Sequence, residues 1–384
     1  MGAPPTRILT IYFRHQRGGL NVRLYTLIEA LVARGVEVHV VSAAPLAIAD
    51  HAGLVRHRVP WGSREPGGLV FWLWFTLAAP WVLARVALAV RPRALVVFDP
   101  YYAVVGRLAA RFARMPVVLF VRAIPWRARM RLRVGGLRWR VATLLDVFAL
   151  RSSEHVVTIT RSMIAELAAH APGLEARCEV LPNALRRPRG EPVDRASARA
   201  ALVAATGWPH DSLVLATAGV LSERKNLGLL LDALAGAPAE RLRLVIAGDG
   251  PSRDRLARAA ADGGVAGRVH FTGWLEDPLA VVMAADLFVL PSVHEGTSNA
   301  LLEAWGAGIP VFAARTPESV DVLADEALLF DGADPGELAR LLAGLADDPA
   351  ELDRRARISA ARAAAFDFDW GERAVELVSR LARP

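Results

Sequence analysis

Lysine is almost missing from this chain. Of its 46 Lys and Arg residues over 384 positions, only Lys225 is lysine, which leaves 45 arginines. A genome rich in G and C favours Arg codons, so the arginine excess needs no functional reason; the one retained lysine does. Cysteine is as scarce. Cys178 stands alone, which excludes a disulfide framework and suits a reducing compartment. The opening MGAPPTRILTIYF has no basic stretch followed by a long apolar run. No signal peptide is therefore expected, and the cytoplasm is the default location. Zinc-finger, KH and RNP signatures are also lacking, so nucleic acid is not an expected partner. What remains is a chain with 53% hydrophobic and 22% charged residues, long enough for two folded domains.

Acidic residues are unevenly missing. Residues 1–190 hold 27 Arg against 10 acids and residues 191–384 hold 19 Lys and Arg against 29, so balances of +17 and −10 make up the net +7. Ten arginines and no acid lie between Asp99 and Asp146, densest in RAIPWRARMRLRVGGLRWR at 122–140, which interleaves Trp126 and Trp139. Such a stretch fits an anionic membrane surface, a phosphorylated substrate, or a solvated face with no partner. A second segment, within residues 67–90, is charge-free from Gly67 to Ala84. It is slightly short for a span and contains Pro80, while Trp72, Trp74 and Trp81 suit a membrane interface. A helix dipping into one leaflet, a buried helix and a true span are the alternatives, and the neighbouring arginine surplus favours the first.

Strand and helix patterns alternate along both halves. RILTIYF, EVHVVS, ALVVF, PVVLF and VVTIT read as buried strands separated by helical segments, the first helix ending at Gly35. After VLPNALRRPRGEP, where periodicity lapses, the alternation restarts with LVLATAG, RLVIAG, RVHFTG, DLFVLPS and IPVFAA. This predicts two α/β domains with parallel sheets, whose ligands bind beyond the carboxyl ends of the strands.

The candidate chemistry sits in those loops. SVHEGTSNALLEAWGAGIPV places Glu295, Gly296 and a capping Ser298 or Asn299 before a helix that carries Glu303, so a helix N-terminus able to hold an anion has a carboxylate on either side. Phosphate beside hydroxyls points to a nucleotide sugar. From the residues alone, a hydrolase acid/base pair and two surface glutamates remain open. Lys225 follows the strand LVLATAG, and its ammonium suits a diphosphate that does not demand a planar fork. Gly18 and Gly19, beside His15, offer bare backbone amides between the first strand and helix. In AGDGPSRDRL, Arg253 stands where a dinucleotide fingerprint wants Gly or Ala, which disfavours NAD. Asp367 and Asp369 form an Asp-x-Asp, for which a helix cap is the simpler explanation than a metal.

With these motifs in order, the chain resembles the retaining glycosyltransferases of the glycogen-synthase-like group, family four. AGVLSERKN, VIAGDGP, VHFTGWLED, ADLFVLPS and HEGTSNALLEAWGAGIPV occur in the family's order over residues 212–325, and the likeness is looser over 7–185. The resemblance implies the GT-B fold, two Rossmann-like domains with parallel sheets facing across a cleft. Residues 1–187 would bind acceptor, 188–365 the nucleotide sugar, and 366–384 would form a helix returning to the first domain. It also implies site roles. Glu303 would bind the ribose; Glu295 with the amides of Gly296, Thr297, Ser298 and Asn299 would hold the transferred sugar. Lys225 would neutralise the diphosphate next to Gly219, with Gly19 and neighbouring Gly18 touching it from the first domain, and Phe271 to Trp274 would border the base. Two positions depart from the pattern. Val220 stands where the family often has Arg, with Arg224 as candidate substitute, and Arg122 stands where it often has a sugar-contacting His.

The implied activity is metal-independent, cofactor-free transfer of a hexose-type unit from a UDP- or GDP-sugar to an acceptor hydroxyl, with retained configuration. The basic first half and residues 67–90 and 122–140 add the expectation of a lipid-linked or envelope-polysaccharide acceptor and a peripheral position on the inner face of the plasma membrane. A catalytically silent GT-B partner subunit and a nucleotide-sugar epimerase on the same fold are the alternatives.

Overall fold

The computed structural model describes residues 6–15, 19–62, 65–127, 136–185, 194–295 and 297–382. The chain divides into two compact units, Met1–Pro182 with Asp369–Pro384, and Asn183–Phe368. The expected boundary at 187/188 lies outside the described residues; the division itself falls five residues earlier, and the last helix joins the first unit from Asp369 rather than from 366.

In the first unit the chain runs β1 (Arg7–Ile11), α1 (Gly19–Ala33), β2 (Glu37–Ser42), β3 (Leu54–Arg58), α2 (Gly68–Val90), β4 (Ala94–Val97), α3 (Pro100–Ala113), β5 (Val117–Phe120), α4 (Leu137–Ser152), β6 (His155–Thr158), α5 (Arg161–His170) and β7 (Cys178–Val180). Seven strands pair in parallel in the order β3-β2-β1-β4-β5-β6-β7. The order reverses between β1 and β4, so a crevice opens at the carboxyl ends of those two strands. Strands β4 and β5, ALVV and VVLF, are buried throughout, as expected of strands covered on both faces.

Helix α2 shows what the charge-free segment does. Phe71, Phe75, Ala79 and Leu83 recur every fourth residue and are fully buried, whereas Leu73, Leu77 and Trp81 on the other side are exposed. The helix is thus buried along one side and open along the other, which the alternative of an ordinary buried helix does not describe. It packs on α3, which approaches the sheet closely because Gly106 has no side chain: a Cβ there would lie 2.3 Å from Cδ2 of Leu95.

The second unit contains α6 (Arg195–Thr206), β8 (Leu213–Ala218), α7 (Leu227–Gly236), β9 (Leu242–Ala247), α8 (Arg253–Asp262), β10 (Val269–Gly273), α9 (Leu279–Met283), β11 (Leu287–Leu290), α10 (Asn299–Gly306), β12 (Val311–Ala314), α11 (Pro317–Leu323), β13 (Leu329–Phe330), α12 (Pro335–Asp347) and α13 (Pro349–Ala363). Its six parallel strands follow the order β10-β9-β8-β11-β12-β13. Here the reversal falls between β8 and β11. Every strand read from the sequence is present; β3, β7 and β13 are additional.

The chain ends on α14 (Trp370–Leu381), which packs on α1. Arg23 of α1 lies over the Trp370 ring at 5.1 Å, and Arg34 and Glu372 form an ion pair at 2.7 Å.

Candidate functional site

Lys225 and Glu295, 70 positions apart, meet at the reversal of the second sheet. Lys225 closes a single helical turn, Glu223–Lys225, after β8, and Glu295 follows β11. The Lys225 ammonium donates to Glu295 Oε2 at 2.8 Å, the Arg224 guanidinium donates to the same oxygen, and Ser292 Oγ donates to it at 3.3 Å. Burial alone would raise the Glu295 carboxyl, but the charges and hydrogen bonds of Lys225 and Arg224 outweigh it and hold the group below its ordinary value. Two cations face one carboxylate. The cluster so described keeps a surplus positive charge in a place where Lys225 is only 7% exposed.

Glycines let the backbone close around that lysine. Gly219 has φ of 134°, and a Cβ on it would lie 3.4 Å from Cε of Lys225, so the lysine stem runs across the bare Cα. Gly248, with φ of 137°, comes closer still: its Cβ would lie 2.0 Å from the Gly219 carbonyl oxygen. Hydrogen bonds from Gly219 N to Ala247 O at 2.9 Å and from Gly248 N to Gly273 O at 3.0 Å tie the ends of β8, β9 and β10 together. The Gly-x-Gly that fails as a dinucleotide fingerprint thus braces the loop ahead of Lys225. Asn226, at φ 48° and ψ 37°, turns the chain into α7 and donates from Nδ2 to Gly332 O at 3.0 Å.

Helix α10 begins beside this cluster in sequence. Ser298 occupies its N-cap position without a side-chain hydrogen bond to the helix, so capping leaves the first amides for a ligand. Thr297 is buried and its Oγ1 has no hydrogen-bond partner among the described residues, while its carbonyl accepts from Asn183 Nδ2 at 3.3 Å. A buried hydroxyl without a protein partner is open to a water or to a polar ligand. Glu303 follows one turn into the helix, partly exposed. Phe271 is half-buried in β10, and Trp274 just beyond it is 67% exposed. Gly296 lies outside the described residues.

The corresponding edge of the first unit is built differently. Gly19 starts α1, and Gly18 lies outside the described residues. His15 Nδ1 and the Tyr25 hydroxyl are 2.9 Å apart, with the rings stacked. All four tyrosines of the chain gather near this edge: Tyr12 and Tyr102 have ring centroids 5.5 Å apart, Tyr101 and Tyr102 5.4 Å. Burial, with Tyr25 and Asp99 nearby, pushes the Tyr12 phenol up to about 12. Arg122, two residues beyond β5, is pushed down to about 9 by burial, with the like charge of Arg23 adding to it. The sequence reading passed over the tyrosines because aromatic residues near strand ends are ordinary core. Ser292 and Asn183 were missed for a similar reason, since their roles are contacts to other site residues, and Gly248 stood out only as part of a dinucleotide fingerprint that fails.

Among the described residues no group of three or more His, Cys, Asp or Glu could hold a metal. Asp369 serves as the N-cap of α14, accepting from Glu372 N at 2.7 Å.

Two parallel sheets, each reversing order at its centre, define a GT-B protein of two Rossmann-like units. HepE from Anabaena, crystallised in complex with UDP, superposes with a TM-score of 0.74 at 19% identity, covering 98% of this chain and 100% of that one. The family described as "Glycosyl transferases group 1" matches residues 212–348, and the "Glycosyl transferase 4-like domain" matches 18–184. The D-inositol 3-phosphate glycosyltransferase of Thermobispora bispora is 31% identical over 399 residues, covering 94% of this chain and 88% of the relative. The chain therefore belongs to the family-four-like GT-B glycosyltransferases. The lipopolysaccharide core biosynthesis glycosyltransferase LpsD of Rhizobium meliloti is 32% identical over 222 residues, 57% of this chain; the match spans only 60% of LpsD's own length.

Proposed function

We propose that the protein is a retaining glycosyltransferase that moves a sugar from a UDP- or GDP-sugar to a hydroxyl of a lipid-linked or envelope-polysaccharide acceptor, without a metal. The observation that carries this reading is the grip of Lys225 and Arg224 on Glu295 at the reversal of the second sheet. In the reaction the bond from the anomeric carbon to the diphosphate oxygen breaks, the acceptor oxygen takes its place on the same face, and the acceptor proton passes to the departing diphosphate. The diphosphate leaves with the electron pair. Lys225, Arg224 and the first amides of α10 are suited to stabilise that charge, the role a divalent cation plays elsewhere. A donor that drew the two cations onto its phosphates would release Glu295 to accept hydrogen bonds from the sugar. Glu303 is suited to the ribose hydroxyls and Trp274 to the base. Towards the acceptor, His15, Arg122 and the tyrosine cluster of the first unit are the candidate contacts. The UDP held by HepE and the lipopolysaccharide role in the name of LpsD support the donor and the envelope setting.

The test is thermal unfolding against UDP, GDP, ADP and TDP. A nucleotide at a hundred times its Kd adds about 2.7 kcal/mol, several degrees in Tm. One nucleotide is expected to stabilise the wild type, with Lys225→Ala and Glu303→Ala each weakening its binding by about tenfold or more. Flat curves for well-folded protein overturn the donor reading. Stabilisation without release of nucleotide from any nucleotide sugar identifies a silent binder instead, a reading that the departures at Val220 and Arg122 keep in play.

A further inference from the structure

The exposed apolar residues of the first unit are not scattered. On α2, Leu73, Leu77 and Trp81 face solvent at four-residue spacing, Leu77 at 72% and Trp81 at 70% exposure. On α3, Leu108 and Phe112 are exposed; on α4, Val141, Leu144 and Phe148 are, Leu144 at 67%. These are helical stripes turned outward, the reverse of the usual arrangement on a surface helix. Helix α2 packs on α3 and α3 on α4. Each helix leads into one of the neighbouring parallel strands β4, β5 and β6, so the three run side by side in one direction. Their stripes add up to one apolar face, of a kind that a soluble monomer rarely leaves open to water.

Charge decides what covers it. Arg85, Arg111, Arg140 and Arg151 are exposed on the same three helices, and Asp146, the one acid in their sequences, is buried. Two copies of this face pressed together would set arginine against arginine. An anionic bilayer offers hydrocarbon for the leucines, an interface for Trp81 and phosphates for the arginines.

We infer that α2, α3 and α4 together dock the first unit onto an anionic membrane surface, with the helices lying flat in the headgroup region. This deepens the acceptor half of the proposed function and rests on it for its purpose. The docking edge also adjoins the first unit's crevice: Trp72 of α2 packs on Phe13 at 4.8 Å and on Tyr101 at 5.4 Å, beside the tyrosine cluster. An acceptor hydroxyl borne on a lipid would arrive there without leaving the interface.

The experiment is co-sedimentation of the full chain with vesicles of phosphatidylcholine alone or half phosphatidylglycerol. Binding to the anionic vesicles is expected, and the double variant Leu77→Asp/Leu144→Asp is expected to weaken it about tenfold or more with Tm and the nucleotide-induced shift unchanged. Arg85→Gln/Arg151→Gln is expected to reduce the preference for anionic lipid. Failure to bind either vesicle, or binding that survives the double aspartate variant, overturns the inference. A concentration-dependent dimer that the same variant dissolves, in protein that ignores vesicles, assigns the face to a second copy and also overturns it. Vesicle binding in protein that no nucleotide stabilises leaves this inference standing while the donor reading fails.

Discussion

At the carboxyl ends of β1 and β4 the first unit gathers phenols and stacked rings; at those of β8 and β11 the second gathers glycines, two cations and a carboxylate. The backbones make the same reversal, and both leave a crevice there. Chemistry differs because the side chains differ. Tyr12, Tyr25, Tyr101 and Tyr102 all have phenols raised by burial, so the first edge offers neutral hydroxyls and apolar ring faces. Lys225 and Arg224 carry their charge into the second edge and are held ready by Glu295. Topology places a crevice in each unit, and the loop residues decide which side chains line it.

Three changes break or sharpen this contrast. The largest effect is expected from Gly248→Ala, whose methyl group meets a backbone oxygen that cannot move without dragging the Lys225 loop. A loss of roughly 2–4 kcal/mol in urea unfolding is expected, together with loss of nucleotide stabilisation. Gly106→Ala in the first unit meets the side chains of Leu95 and Leu83 and no backbone atom among its nearest neighbours, and about 1–2 kcal/mol is expected there. An equal cost at both positions would show that the glycine bracing is not special to the second edge.

The next effect is acid sensitivity. Glu295 has its folded-state carboxyl below the ordinary value, so its contribution to stability is present above the unfolded-state pKa and is lost as pH falls through the lowered one. Wild-type stability is expected to fall in that acid range more steeply than that of Glu295→Gln, as read by denaturation at a series of pH values. The phenols of the first edge do not titrate there and should contribute nothing to the difference. Parallel pH profiles for the two proteins would remove Glu295 from the cluster's electrostatics.

The smallest effect concerns Cys178, on the first unit's edge strand β7. Burial pushes its thiol up to about 11, so alkylation near pH 8 is expected to run at least about tenfold slower than that of free cysteine, measured by mass shift. Reaction at the free rate would show that β7 opens readily.

Much of this was legible in the sequence, and for definite reasons. Strands such as LVLATA and VVLF announce themselves because burial on both faces demands unbroken apolar runs. Edge strands LVRHR and CEV, and the two-residue β13, were not read because such strands carry no such run. Lys225, Glu295 and Glu303 stood out by type and by position after a strand, and the structure brings Lys225 and Glu295 into contact. That Arg224 shares the same carboxylate oxygen could not be read, since the separation of 71 positions becomes a contact only through the pairing of β8 with β11. The outward apolar stripe of α4 went unnoticed because a stripe at helical spacing looks the same in sequence whichever way it faces.

The pairing of the first helix with the last bears on how the molecule comes into being. Trp370, Val375, Val378 and Leu381 are buried in the unit that begins at the amino terminus, and Arg34 finds Glu372 some 338 positions later. On the ribosome the strands of the seven-stranded sheet are made early, yet its outer layer beside α1 stays open until Trp370–Leu381 emerges. Domains ordinarily fold in order of synthesis. Here the unit synthesised earlier is completed only after the other has been made, and removal of Trp370–Leu381 would be felt as instability in the sheet that contains β1.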